Sequence, residues 1–152
     1  MELAQLSIFI DLKQGGIAEL AELFGREGIN FRALTLSDTK DFGVLRFIVD
    51  DSDKAEEILR ANHFTVLVSE VVAVEVEDKP GALGEVYRIL DQKKIKVDYM
   101  YAFSQGPSNK AVLVFSFENN EEAVKSLREH NVRVLSADEV QSDSSIRGEW
   151  AE

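Results

Sequence analysis

Apolar and polar positions partly alternate along residues 6–11 ("LSIFID") and 71–76 ("VVAVEV"), and both stretches are rich in β-branched residues, so both predict strands. The period then changes. Ile17, Leu20, Ala21 and Phe24 follow i, i+3, i+4, i+7 spacing, as do Leu83, Val86, Tyr87 and Leu90, which places an amphipathic helix after each strand. Two hairpins come next: "INFRALTLS" and "GVLRFIV" flank the turn "DTKD", and "VDYMYAFS" and "AVLVFSF" flank "QGPSN". The segments "DDSDKAEEILRA" and "ENNEEAVKSLRE" then open with Asp, Asn and Ser capping candidates. They place acids in the first turn and an arginine in the last, as the helix dipole favours. "FTVLV" and "VRVLS" close the pattern as strands.

The pattern occurs twice because the chain is a repeat. At an offset of 68, Val44, Leu45, Phe47, Ala55, Leu59, Arg60, Val66 and Leu67 meet Val112, Leu113, Phe115, Ala123, Leu127, Arg128, Val134 and Leu135. Earlier in each copy the offset is 66, where Gly15, Glu19 and Ile29 meet Gly81, Glu85 and Ile95. The two additional residues of the second copy fall in the hairpin turn, where a change of length is tolerated. The order βαββαβ, twice, predicts an α+β fold of two ferredoxin-like modules with antiparallel sheets. The expected boundaries are residues 1–69 and 70–140, with a C-terminal tail over 141–152. A half of about 70 residues is marginal as an isolated domain, so the halves are expected to bury surface against each other. In this fold the second strand lies at a sheet edge, and here it is apolar and aromatic ("NFRALTL", "VDYMYAF"). Such edges invite pairing, so the two are expected to join edge to edge, with each other or with the same strands of another chain.

Composition removes several classes of function. The 152 residues contain no cysteine, which excludes disulfides, iron–sulfur clusters and thiolate nucleophiles and leaves two histidines for metal chemistry. The net charge of −11 comes from 28 acids and 17 bases and is shared by both halves, so phosphate backbones are repelled and no nucleic-acid partner is expected. No apolar run approaches the roughly 20 residues of a membrane helix, and the N-terminus lacks a basic region ahead of an apolar one. The chain therefore reads as a cytoplasmic protein with no membrane partner.

The chemistry concentrates at one junction. In "VEDKPGALGEV" a strand ends and a helix begins across Pro80 and Gly81. Proline fixes φ, and glycine permits a conformation or a close approach that a Cβ would obstruct. The amides of Ala82, Leu83 and Gly84 then open the helix, where its positive end suits a carboxylate or phosphate. Taken alone, a Pro-Gly pair also serves as an ordinary tight strand-to-helix turn. In the first copy the same place reads "DLKQGGIAEL": the glycines remain and the proline is absent.

The stretch "VEVEDKPGALGEVYRILDQKKIKVDYMYAF" resembles an ACT domain, the small-molecule-sensing βαββαβ module of amino-acid metabolism, in its Asp-x-Pro-Gly-x-Leu turn and the "I-x-V" strand that follows the helix. "GINFRALTLSDTKDFGVLRFIVDD" is similar to the first copy of stand-alone tandem ACT proteins. The resemblance runs from Leu3 to Val140. It implies a non-catalytic regulatory protein, an allosteric sensor that holds a free amino acid at the interface of two modules, needs no cofactor or metal, forms a homodimer and is read by a metabolic enzyme. The implied ligand positions in the second copy are Asp78, Pro80, Gly81, Ala82 and Leu83, then Lys96, Val97 and Asp98. In the first copy they are Lys13, Gln14, Gly15, Gly16 and Ile17, then Asn30, Phe31 and Arg32, with Ser37, Asp38 and Phe42 as a wall. Helix-start amides suit the ligand carboxylate, and an aspartate or main-chain carbonyls suit its ammonium. The first copy departs from the family pattern, with Gln14 at the proline position and Leu12 at the aspartate position, which implies unequal sites.

Two other readings stand beside this one. The chain is a regulatory subunit acting mainly through protein–protein contact, or an RNA-binding βαββαβ protein, for which "DFGVLRF" is a faint match that lacks the basic start and the second aromatic. "DDSD" reads as a helix cap, as the matching "ENNE" indicates, since it lacks the glycine and distal glutamate of a calcium loop. His63 and His130 each fall just past the second helix of a copy and read as helix-end residues. The tail "QSDSSIRGEWAE" reads as frayed.

Overall fold

The computed structural model describes residues 3–11, 16–38, 41–104 and 108–142. It divides into two compact units, Ala4–Ser69 and Glu70–Glu152, the latter taking Leu3 as well. The first unit holds β1 (Leu3–Asp11), α1 (Gly16–Glu27), β2 (Phe31–Asp38), β3 (Phe42–Val49), α2 (Ser52–Ala61) and the opening of β4 (Val66–Glu77). The second continues along β4 to α3 (Ala82–Gln92), β5 (Val97–Ser104), β6 (Lys110–Phe117), α4 (Asn120–Glu129), β7 (Arg133–Leu135) and α5 (Ala137–Ser142). The expected ferredoxin-like βαββαβ module is present twice. No helix among the described residues is long and apolar enough to cross a membrane.

Within the first unit β3 lies between β1 and β2 and is antiparallel to both, with Ile8 opposite Leu45 and Leu36 opposite Leu45 from the other side. Within the second, β6 lies between β4 and β5, and β7 pairs β4 from Ala73 to Glu75. One sheet face of each unit is covered by its helices. Leu6, Ile8 and Ile10 of β1 and Leu45, Phe47 and Val49 of β3 form a core with Leu20 and Phe24 of α1 and Leu59 of α2. Val72, Val74, Leu113 and Phe115 do the same with Val86 and Leu90 of α3 and Leu127 of α4. Burial of each large aliphatic or aromatic side chain contributes roughly 1.5–3 kcal/mol, and these clusters are the main stabilising mass of each module. Within its own unit β2 is paired to β3, and β5 to β6, each along one side, so each keeps an outer edge for a further strand.

The predicted caps form as the residue types require. Asp51 accepts the Lys54 amide at 3.1 Å and Asn119 the Glu122 amide at 3.1 Å, each satisfying a first-turn donor. "DDSD" and "ENNE" are thus the starts of α2 and α4. His63, at φ 66°, follows the C-cap of α2, and His130 is the C-cap of α4, with Nδ1 2.8 Å from the Ser126 carbonyl.

Two features differ from the sequence reading. The closing strand of the first copy and the opening strand of the second are a single 12-residue strand, β4, because residues 66–77 contain no glycine, proline, asparagine or aspartate and a lone Ser69 does not break the run. The tail was expected to begin at 141, yet α5 runs to Ser142, and residues 143–152 lie outside the described residues. α5 starts with a capping box: Ser136 Oγ accepts the Glu139 amide at 3.2 Å and Glu139 Oε1 accepts the Ser136 amide at 3.1 Å. Arg133 bonds both Glu75, at 2.9 Å, and Glu139, and Ala137 and Val140 are buried, which fastens α5 to its unit.

The Ser136 amide, then the ion pair with Arg133, hold the Glu139 carboxyl below its usual 4.5. A carboxylate whose folded value is depressed stabilises above the unfolded value and loses that contribution as pH falls through the folded one. Acidification from pH 4.5 downward is therefore expected to release α5 ahead of global unfolding. Hydrogen exchange at the Val140 amide, which donates to the Ser136 carbonyl at 3.2 Å, reads this directly. Protection unchanged down to global acid unfolding would show that packing alone holds the helix.

Candidate functional site

The second-copy turn is built by a short hydrogen-bonded relay. β4 ends at Glu77, the Asp78 amide donates to the Asn109 carbonyl at 2.7 Å, and the Lys79 amide donates to the Glu77 carbonyl at 3.0 Å. The turn is thereby tied to the β5–β6 hairpin. Gly81 then takes φ 92°, ψ −16° as the N-cap of α3, a conformation that L side chains rarely adopt. A Cβ there would meet nothing within 4 Å, so backbone conformation and not crowding calls for the glycine. Of the three amides expected to be open, that of Ala82 is engaged, donating to the Lys79 carbonyl at 3.3 Å. No side chain caps α3, so its first turn keeps donors directed outward beside exposed Asp78, Lys79, Pro80 and Gly81.

A groove of about 550 Å³ adjoins this turn within the second unit. Ala82 lines it, with Glu77, Lys79, Glu85 and Arg88 around it and Lys110 opposite. Lys79 and Lys110 approach the Glu77 carboxylate at 3.1 and 3.7 Å. The Lys79 hydrogen bond lowers the Glu77 pKa, and the same contact raises that of Lys79, so both stay charged across neutral pH. Acids and bases both line the groove, an arrangement suited to a zwitterion. The sequence reading did not single out Glu77, Lys79, Glu85, Arg88 or Lys110. Their signal was the charge cluster flanking the Pro-Gly pair.

The first copy shares the plan with different packing. Lys13, Gln14 and Gly15 lie outside the described residues. Gly16 opens α1, and a Cβ there would come within 2.7 Å of Ile10 Cγ2, so close packing excludes a side chain. Ile17 is half-buried against the core. Ser37 and Phe42 are exposed at one end of the β2–β3 hairpin, where Asp38 lies opposite Gly43 and Asp11 opposite Phe42. These positions lie at the turn end of the module.

The strand-two residues lie at the other end. β1 and β2 are both antiparallel to β3 and so run the same way, and Phe31 is opposite Val49 while Asp38 is opposite Gly43. Eight residues of strand separate the two ends, roughly 25 Å. The second copy repeats this, with Val97 opposite Phe117 and Ser104 opposite Ala111. Within one module the fold therefore does not bring Asn30, Phe31 and Arg32 to the first-copy turn, or Lys96, Val97 and Asp98 to Gly81. Asn30 exchanges hydrogen bonds with Asp50, through its amide at 3.0 Å and its carbonyl at 3.1 Å. Phe31 packs on Phe24 and Phe47, with ring centroids 5.3 and 5.4 Å away. The Lys96 carbonyl accepts the Glu118 amide at 3.1 Å, Lys96 Nζ is 3.9 Å from Asp98, and Val97 packs on the core. Both strands shift register at their second residue, Arg32 in one copy and Asp98 in the other. Such bulges re-aim a side chain. Arg32 is buried and Asp98 exposed.

Residues 1–142 match a family model described as an ACT domain pair. A crystal structure of a protein from Bacteroides thetaiotaomicron is similar at 37% identity and a TM-score of 0.89, covering 93% of this chain and 97% of that one. The regulatory subunit of aspartate kinase from Thermus thermophilus, in a ligand-free form, shares the fold at 13% identity and a TM-score of 0.62, over 84% of this chain and 91% of that one. That from Thermus flavus does so at 13% and 0.59, over 85% and 92%. No curated protein matches the chain significantly in sequence.

Proposed function

The chain belongs to the ACT domain pair family, and from that premise we propose that it is a non-catalytic, cytoplasmic regulatory protein that binds a free amino acid where modules of two chains meet. Its modules are residues 1–69 and 70–140. The observation that carries this reading is the separation of the two parts of the implied site. The turn residues Asp78–Leu83 and the strand residues Lys96–Asp98 occupy opposite ends of one module. A second chain whose end strand runs antiparallel to β5 sets its strand start beside the first chain's strand end, and so completes the site. A homodimer paired along the outer edge of β5, β2 or both thus has a chemical reason as well as a structural one. The uncapped start of α3 supplies carboxylate donors, and the Glu77–Lys79 groove beside it supplies both signs of charge. Binding at such an interface favours one packing by its differential affinity, and a partner enzyme of metabolism reads the change.

The twenty amino acids, tested one at a time by thermal shift on the purified protein, decide the matter. At a hundredfold excess over Kd the ligand adds about 2.7 kcal/mol, or roughly 5–10 °C for a chain of this size. No shift with any of them at millimolar concentration would sink the sensor reading. It would leave the second one, a regulatory subunit that acts by protein–protein contact with an enzyme. That alternative has Leu12 and Gln14 in its favour, which stand where the second copy has Asp78 and Pro80.

A further inference from the structure

The second unit contains a cavity of about 700 Å³ that none of residues 78–83 or 96–98 lines. Its floor includes Val71 and Val72 of β4 and Val134 of β7, its α4 wall carries Val124, and Lys125 and Arg128 stand on that wall. The volume is that of a small-molecule site, and the lining has the usual character of one, apolar with a few placed charges.

The repeat supplies an internal control for this place. In the first copy Glu56 holds Arg60 one turn away, with Oε1 at 3.1 Å from Nη2 and 3.3 Å from Nε, and the same arginine reaches the Val66 carbonyl at 3.5 Å. At the offset of 68 the second copy keeps the arginine as Arg128 and the strand valine as Val134, but Glu56 becomes Val124. The exchange removes the arginine's partner and makes the wall apolar. Among the described residues neither the Lys125 ammonium nor the Arg128 guanidinium has a side-chain hydrogen bond or ion pair, in a protein with 28 acids to 17 bases. β7 also stops at Leu135, whereas its counterpart β4 is 12 residues long in all. Glu70, Glu121 and Glu129 line the cavity with the two bases, three acids to two, so a doubly charged anion is disfavoured.

We propose that this cavity binds a small monocarboxylate with a branched aliphatic body, its carboxylate on Arg128 and its body against Val71, Val72, Val124 and Val134. Free carboxylic acids and aliphatic amino acids share that chemistry. An amino acid would add an ammonium contact to Glu121 or Glu129.

Methyl NMR of the full chain, titrated separately with 4-methyl-2-oxopentanoate and with leucine, tests the site. The expected result is saturable shifts at the Val124, Val72 and Val134 methyls with at least one of the two. The oxo acid alone, or both equally, would indicate that carboxylate and aliphatic body suffice; leucine alone would indicate ammonium recognition. Val124→Glu restores the first-copy clamp on the arginine and should weaken binding by at least about tenfold, about 1.4 kcal/mol. Arg128→Gln, an exposed substitution that leaves the core untouched, should do the same. No saturable shift at these methyls with either probe, or unchanged affinity in both variants, overturns the proposal. Leucine shifts confined to the Gly81 turn would also overturn it, while leaving the interface reading in place.

Discussion

Phe115→Ala is expected to destabilise the protein by about 3–5 kcal/mol, the loss typical of a large aromatic ring deleted from a filled core. The ring is fully buried in the centre of β6, stacks on Phe117 with centroids 5.0 Å apart and planes 12° apart, and meets Tyr87 of α3 at 5.9 Å. On its strand it is flanked by Val72 of β4 and Met100 of β5, so it sits where sheet and helices of the second unit converge. Since whole domains are stable by about 5–15 kcal/mol, the variant is expected to be marginal, with a large fall in the urea midpoint and early loss of amide protection in β5 and β6. Phe115→Leu keeps most of the volume and should cost much less. A loss below about 1 kcal/mol for the alanine variant would mean that the surroundings collapse onto the space, and that the ring is not the keystone its burial indicates.

The architecture was legible because the repeat states every element twice. Phe47 and Phe115 match at an offset of 68, and each is fully buried in its own cluster. Caps were legible for a local reason: an Asp or Asn before a helical period satisfies amides within three residues, so no distant contact decides the matter. What escaped depended on less local events. The joining of two strands into β4 needed the recognition that nothing in residues 66–77 breaks the chain. α5 had a local signature, Ser136 with Glu139 three residues on, masked by the polar, serine-rich tail that follows. The site was legible as residue types and not as geometry. Proline and glycine announced the turn, but that residues 96–98 lie at the far end of the module follows only from strand direction. The groove charges Glu77, Lys79 and Lys110 meet through pairing of β4 with β6, which spacing along the chain does not reveal.

Gly81→Val is expected to abolish the amino-acid-induced melting shift that arises at the second-copy turn, while leaving the protein folded. A β-branched residue at φ 92° costs about 1–3 kcal/mol, and the backbone relieves that strain by leaving the left-handed region. The first turn of α3 then rotates, and the donors that face the ligand carboxylate move with it. Conformation and space can be separated, because a Cβ at position 81 meets nothing within 4 Å. Asparagine tolerates the left-handed region far better than valine, so Gly81→Asn should keep both the turn and the shift. Loss of the shift in the valine variant alone would assign the glycine's role to backbone conformation. Loss in both would mean that the ligand itself fills the space above the glycine, and that close approach selects it. If both variants keep the full shift, the second-copy turn is not the site. The binding chemistry would then belong to the first copy, whose turn has kept its glycines and lost the proline and the aspartate, or to the cavity beside Arg128.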